Sequence, residues 1–168
     1  MTISMYQASV PVFSTMLNNL VAIMEKAAAH CEEKKIDQSV LVNYRLYPDM
    51  FAFSKQVQLA ADHAKNATAR LAGMEPLVYE NAEKSFPELI MRVHKTIEYL
   101  KGFEPGQIDG SEQKEIVNKH GSTTVTYKGQ EYLLMRELPN FFFHVTTAYD
   151  ILRHNGVELG KKDFLGSP

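Results

Sequence analysis

Apolar side chains recur at three- and four-residue steps in four separate stretches of this chain, with proline, glycine and charge gathered between them. In the first stretch, Ser4 to His30, the residues Phe13, Met16, Leu17, Leu20, Ile23, Met24 and Ala27 share one face of a predicted helix. Pro11 either kinks this helix or marks where its regular part begins. Glu32 to Lys35 ends it in solvent, and Asp37 is placed to cap a short turn through Val40 to Asn43. In the second stretch Tyr47-Pro48-Asp49 reads as a start signal with Asp49 as N-cap. The stripe Met50, Phe53, Val57, Ala60, Ala64, Ala67 and Leu71 follows, with Gly73 just past its end. At 1.5 Å per residue that helix is roughly 35 Å long.

After a loop rich in Glu, Pro and Asn, Ser85-Phe86-Pro87-Glu88 forms a capping box with proline in the first turn. It opens a third helix whose face is Leu89, Ile90, Val93, Ile97 and Leu100 and which stops at Gly102. Two β-prone runs, Glu115 to Lys119 and Thr123 to Tyr127, flank His120-Gly121-Ser122 and predict a hairpin. A hairpin alone is marginal, so it must lie against the rest of the fold. Gln130 to Glu137 is expected to add a helical turn or two. The fourth main helix is predicted from near Pro139 to His154, closed by Asn155-Gly156, and the tail is expected to be extended with Phe164 and Leu165 as anchors.

These elements predict an all-α fold, an antiparallel four-helix bundle with a small β-hairpin excursion between the third and fourth main helices. Nothing divides the 168 residues, so residues 1–168 are read as one domain. The long third-to-fourth connection leaves room for a crossover or an excursion.

Composition narrows the function classes. A formal charge of −2 with scattered Lys and Arg offers no basic field for a phosphate backbone, which argues against nucleic acid. No apolar run approaches a membrane span, and no charged region precedes an apolar stretch near the start, so no membrane association and a cytoplasmic setting are expected. Cys31 is the single cysteine, which excludes an intramolecular disulfide, and it is read as an incidental thiol.

Histidine carries the sharpest chemical lead. His63 lies beside the inward stripe of the second helix, and His144 lies one turn before Ala148 on the inner face of the fourth. Both can therefore meet inside the bundle, either as satisfied core histidines or as metal ligands. Asn140 sits one turn before His144 on the same face. Asp62 adjoins His63, and His94 lies at the edge of the third helix's apolar face.

The run His144-Val-Thr-Thr-Ala-Tyr-Asp-Ile-Leu-Arg-His-Asn-Gly156 resembles the last helix of the DinB/YfiT-like superfamily, whose H-x-x-x-H pair precedes an L-R-x-x-G ending. Leu152, Arg153 and Gly156 fit that ending, and His144 then falls on the second histidine of the pair. A closer resemblance is to an uncharacterised branch of that superfamily, known only as a domain of unknown function. It is carried by residues 5–13, by Pro48-Asp49-Met50-Phe51 and by Ala69-Arg70-Leu71-Ala72-Gly73. The runs 138–149, Arg153-His154-Asn155-Gly156 and Lys162-Asp163-Phe164-Leu165-Gly166 complete it.

The resemblance implies a bundle, a homodimer and a metal set at His63, Asn140 and His144, with Asn140 standing where the family has a histidine. Zinc or nickel prefers imidazole nitrogen to a neutral amide oxygen, so a metal there would be loosely bound. Two functions follow as expectations. One is a non-catalytic module that binds a small-molecule ligand or dimerises around a degenerate metal site. The other is a metal-dependent transferase or hydrolase, thiol-dependent in one form, using His63 and His144.

Overall fold

In the computed structural model, residues 3–121 and 123–166 are described; Ser122, at the tip of the predicted hairpin, falls outside them. Helix α1 (Val10–Lys34) starts with Pro11 in its first turn and ends at Lys35, which adopts a left-handed conformation at φ 57°. The short α2 (Gln38–Val42) is capped as its sequence predicts, the Asp37 carboxylate accepting from the Ser39 amide at 2.8 Å. Helix α3 (Phe53–Leu71) begins later than Asp49. Tyr47 to Met50 instead close a turn, Met50 N–H donating to the Tyr47 carbonyl, and Arg45 and Ala52 bridge across it. Pro48 suits the second position of such a turn, and the Pro-Asp pair that reads as a helix start is turn chemistry here. At 19 residues α3 is about 28 Å long rather than 35 Å.

Helix α4 (Phe86–Lys101) is capped by Ser85, whose hydroxyl accepts from Glu88 N–H, while the Glu88 side chain reaches back to the Lys84 amide. A single turn, α5 (Pro105–Ile108), leads to the hairpin of β1 (Glu115–His120) and β2 (Thr123–Lys128), paired antiparallel with Glu115 opposite Lys128. The hairpin leans on the bundle through buried Ile116 and through Tyr127, whose ring meets that of Tyr132.

The last main helix departs most from the sequence pattern. A short α6 (Gly129–Glu131) passes through a π-helical stretch, Tyr132–Glu137, directly into α7 (Leu138–His154). Helical structure is thus continuous from 129 to 154, and Pro139 lies inside it rather than at its start. Proline has no N–H to donate, and its ring crowds the carbonyl four residues back. The wide π turn just before it relieves that conflict. The tail also differs from expectation: α8 (Lys161–Leu165) is helical, Phe164 packs on Tyr149, and Leu165 is exposed.

Side-chain pairings give the direction of each helix. Gln56 meets His144, His63 meets Glu137, and Arg70 meets Tyr132, so α3 runs antiparallel to α7 and its π-helical lead-in. Phe53 meets Phe86 and Asp62 meets Arg92, so α3 and α4 run the same way. Phe13 meets Phe141 and residues near Lys26 face Gly156, so α1 and α7 also run together. The bundle therefore holds two antiparallel and two parallel neighbouring pairs. Its core is made of fully buried Phe13, Leu17, Leu20, Phe53, Phe86, Leu89 and Phe141 among others.

Parallel α3 and α4 require the chain between them to travel back along the bundle. The 73–84 segment does so, held by charges taken out of solvent. The Lys65 ammonium donates to the Leu77 carbonyl, and Arg92 binds the Glu80 carbonyl, Glu83 and Asp62. Gln58 donates to Glu83, and the Tyr79 ring lies against Lys65, Arg92 and Lys95. The third-to-fourth connection is an excursion at one end, tied down by Lys114 donating to the Leu71 carbonyl.

Candidate functional site

The stripe positions of α3 and α7 bring His63 and His144 together. Their rings lie 5.4 Å apart between centres with planes 18° apart. Each imidazole is anchored by an oxygen at Nδ1. His144 Nδ1 lies 2.7 Å from Gln56 Oε1, and His63 Nδ1 lies 2.7 Å from Glu137 Oε2. Carboxylate and amide oxygens only accept, so both rings carry their proton on Nδ1. Neither Nε2 has a hydrogen-bond partner among the described residues.

The two histidines differ in environment. His144 is 8% exposed, and burial, with His63 and Lys55 nearby, lowers its pKa to about 4. At neutral pH it is therefore an uncharged imidazole with a bare Nε2 lone pair. The His63 side chain is 21% exposed and stands against a Glu137 side chain only 3% exposed.

Behind Glu137 the polar chain continues. Arg70 donates to the Tyr132 hydroxyl at 2.9 Å, and the Glu137 carboxylate lies close enough to that phenol to act on it electrostatically. Burial and the neighbouring Glu137 carboxylate push the Tyr132 phenol well above its ordinary pKa, so it stays protonated. A polar ladder thus runs along the α3–α7 seam from Arg70 through Tyr132, Glu137 and His63 to His144 and Gln56.

Asn140 takes no part in that ladder. Its amide N–H donates to the Arg136 carbonyl at 2.6 Å, four residues back on its own helix, and it has no hydrogen bond to either histidine. Asp62 pairs with Arg92 at 3.0 Å rather than orienting His63. His94 is exposed on the outer side of α4, where it lines a cavity of ≈ 640 Å³ with Tyr79, Met91 and Lys95, away from the other imidazoles. Cys31 is buried, which raises its thiol pKa and leaves it a poor nucleophile.

Sequence reasoning missed Gln56, Arg70, Tyr132 and Glu137. One signal was available. Tyr132 and Glu137 are five residues apart, a step of about 140° off-face on an α-helix, yet the helix continues through Pro139. A proline inside a helix calls for a widened turn, and a π turn brings residues five apart onto one side.

The divalent ion that the resemblance implies can be tested against these donors. Two imidazoles sharing a tetrahedral ion at ~2.1 Å would hold their ring centres roughly 5 Å apart, close to the spacing seen. Oxygen backing at Nδ1 is also what metal-bound histidines commonly have. Among the described residues a third strong donor is missing, because Glu137 is engaged by His63 and the Asn140 amide is engaged by its helix. Among the described residues no group of three His, Cys, Asp or Glu is arranged to hold an ion. The spacing matches a shared ion, but the near-parallel stacked rings and the lack of a third donor among the described residues do not fit a resident three-ligand centre.

The fold and the paired imidazoles define a class, a helical bundle with a polar site between its second and last main helices. The profile of a domain of unknown function, DUF1993, matches residues 5–165, and the chain belongs to that family. The crystal structure of a DinB family member protein from Shewanella denitrificans is 40% identical, with a TM-score of 0.87 over 97% of this chain and 92% of that one. The family is thus a branch of the DinB-like superfamily. A search among curated proteins found no match. No helix among the described residues is long and apolar enough to cross a membrane.

Proposed function

We propose that this chain is a non-catalytic DinB-like bundle that binds a small molecule at the His63–His144 pair and holds a divalent ion such as zinc or nickel only loosely. One observation carries the reading: both Nδ1 atoms are committed to protein oxygens, and among the described residues neither Nε2 has a partner and no third strong donor stands beside them. Such a site accepts hydrogen bonds from a ligand well and chelates an ion poorly. A homodimer belongs to the same proposal. It is supported by Met135 and Phe143, which are 75% and 56% exposed on the last helical segment.

The ring spacing and the oxygen-backed imidazoles favour a second reading, a metal-dependent transferase or hydrolase using His63 and His144. Metal analysis and zinc calorimetry on wild type, His63→Ala, His144→Ala and Asn140→His separate the two. The proposal expects zinc that dialyses away from wild type, none on either alanine variant, and tighter retention by Asn140→His. Stoichiometric metal surviving dialysis on the wild-type chain would overturn it in favour of the enzyme.

A further inference from the structure

We infer that Glu137, turned inward by the π-helical stretch, is the positioning residue of the site: it keeps the His63 proton on Nδ1 and so leaves Nε2 as the atom that meets a ligand. The inference deepens the proposed function and rests on its reading that the Nε2 atoms face the ligand.

Hydrogen-bond direction carries the argument. A guanidinium has no acceptor, so Arg70 can only donate to the Tyr132 oxygen. Burial keeps the Tyr132 phenol protonated, and it stands beside the Glu137 carboxylate. With the Glu137 oxygen accepting, the 2.7 Å contact has His63 Nδ1–H donating. That direction puts a proton on Nδ1 and leaves Nε2 as the ring nitrogen that Glu137 does not engage. The Glu137 side chain is 3% exposed, so water does not compete for it.

Backbone geometry supplies the second support. Tyr132, Leu133 and Glu137 are the buried residues of the π stretch, while Leu134 and Met135 are exposed. On an unbroken α-helix, Tyr132 and Glu137 would diverge by about 140° and could not both face α3. The irregular turn is therefore what places the phenol and the carboxylate in one line with His63, as π turns at functional sites do elsewhere.

Long-range proton–nitrogen correlation spectra distinguish a protonated from a bare imidazole nitrogen at each histidine. They would be recorded on wild type, Glu137→Ala and the double variant Tyr132→Phe/Glu137→Leu, which removes both polar groups and keeps the interior filled. His63 is expected to move from Nδ1–H to a mixture with Nε2–H in both variants. His144, held by Gln56, should keep its Nδ1–H form and serves as the internal control. Zinc affinity should fall by about tenfold to a hundredfold, as for loss of other such partners. A folded variant whose His63 stays Nδ1–H, or in which both histidines change together, overturns the inference. If wild type binds no zinc yet His63 alone changes form, the role of Glu137 stands and the proposed ligand face fails.

Discussion

Acid should destabilise this bundle through His144 in a way that one substitution removes. The imidazole is buried against Gln56, His63 and Lys55, with Glu137 on the far side of His63 and no carboxylate in direct contact with His144. Its folded pKa of about 4 lies below the ordinary value of 6.5. Above pH 6.5 both folded and unfolded chains hold it neutral, and it contributes nothing to the pH dependence. As pH falls below 6.5 the unfolded chain takes up a proton that the folded chain refuses, so stability declines until the pH passes the folded value. Between pH 7.5 and pH 4.5 that linkage amounts to about 2.5 kcal/mol, and about 1.4 kcal/mol of it is lost by pH 5.5. Little discount for solvent screening is needed for a residue 8% exposed. Urea unfolding of wild type and His144→Gln across this range isolates the contribution, because the remaining carboxylates titrate in both. Parallel stability curves for the two proteins would refute the placement of His144 as a buried neutral base.

Two other perturbations test the packing and the assembly. Gly129→Ala should lower the urea midpoint by the equivalent of about 1–3 kcal/mol, because the new Cβ would run into the Ser111 carbonyl oxygen; an unchanged midpoint would mean the loop can step aside. Sedimentation equilibrium on wild type and Phe143→Ser examines the proposed pairing, which predicts a dimer that the substitution weakens; a monomer at every concentration would remove the homodimer.

The four apolar stripes, the caps at Asp37 and Ser85 and the stop at Gly102 were legible because they depend on neighbours within one or two helical turns. The meeting of His63 with His144 was legible for a similar reason, since each shares a face with core residues of its own helix. What lay beyond reach depended on partners distant in sequence. Glu137 and Gln56 look like ordinary surface residues until α3 and α7 are set side by side, and only then does each find an imidazole. Asn140 was expected beside His144 from its one-turn spacing and the family resemblance, and in the structure its amide donates to the nearer Arg136 carbonyl. Asp49 failed as a cap because Pro48 serves a turn as readily as a helix start. Helix direction was also hidden, since an apolar stripe does not show which way its helix points.

The return of the 73–84 segment has a consequence for how fast the chain folds. An up-and-down bundle can zip each helix onto its immediate predecessor through a short turn, and such local contacts make helical proteins fast folders. Here the second long helix runs alongside the third, and its extensive antiparallel partner comes much later in the chain. Gln56 must find His144 across 88 positions, and Arg70 must find Tyr132 across 62. Loop closure over such spans precedes most of the stabilising contact. Refolding should accordingly be slower than for an up-and-down bundle of equal length, because the α3–α7 seam closes only once the last helix has been brought back.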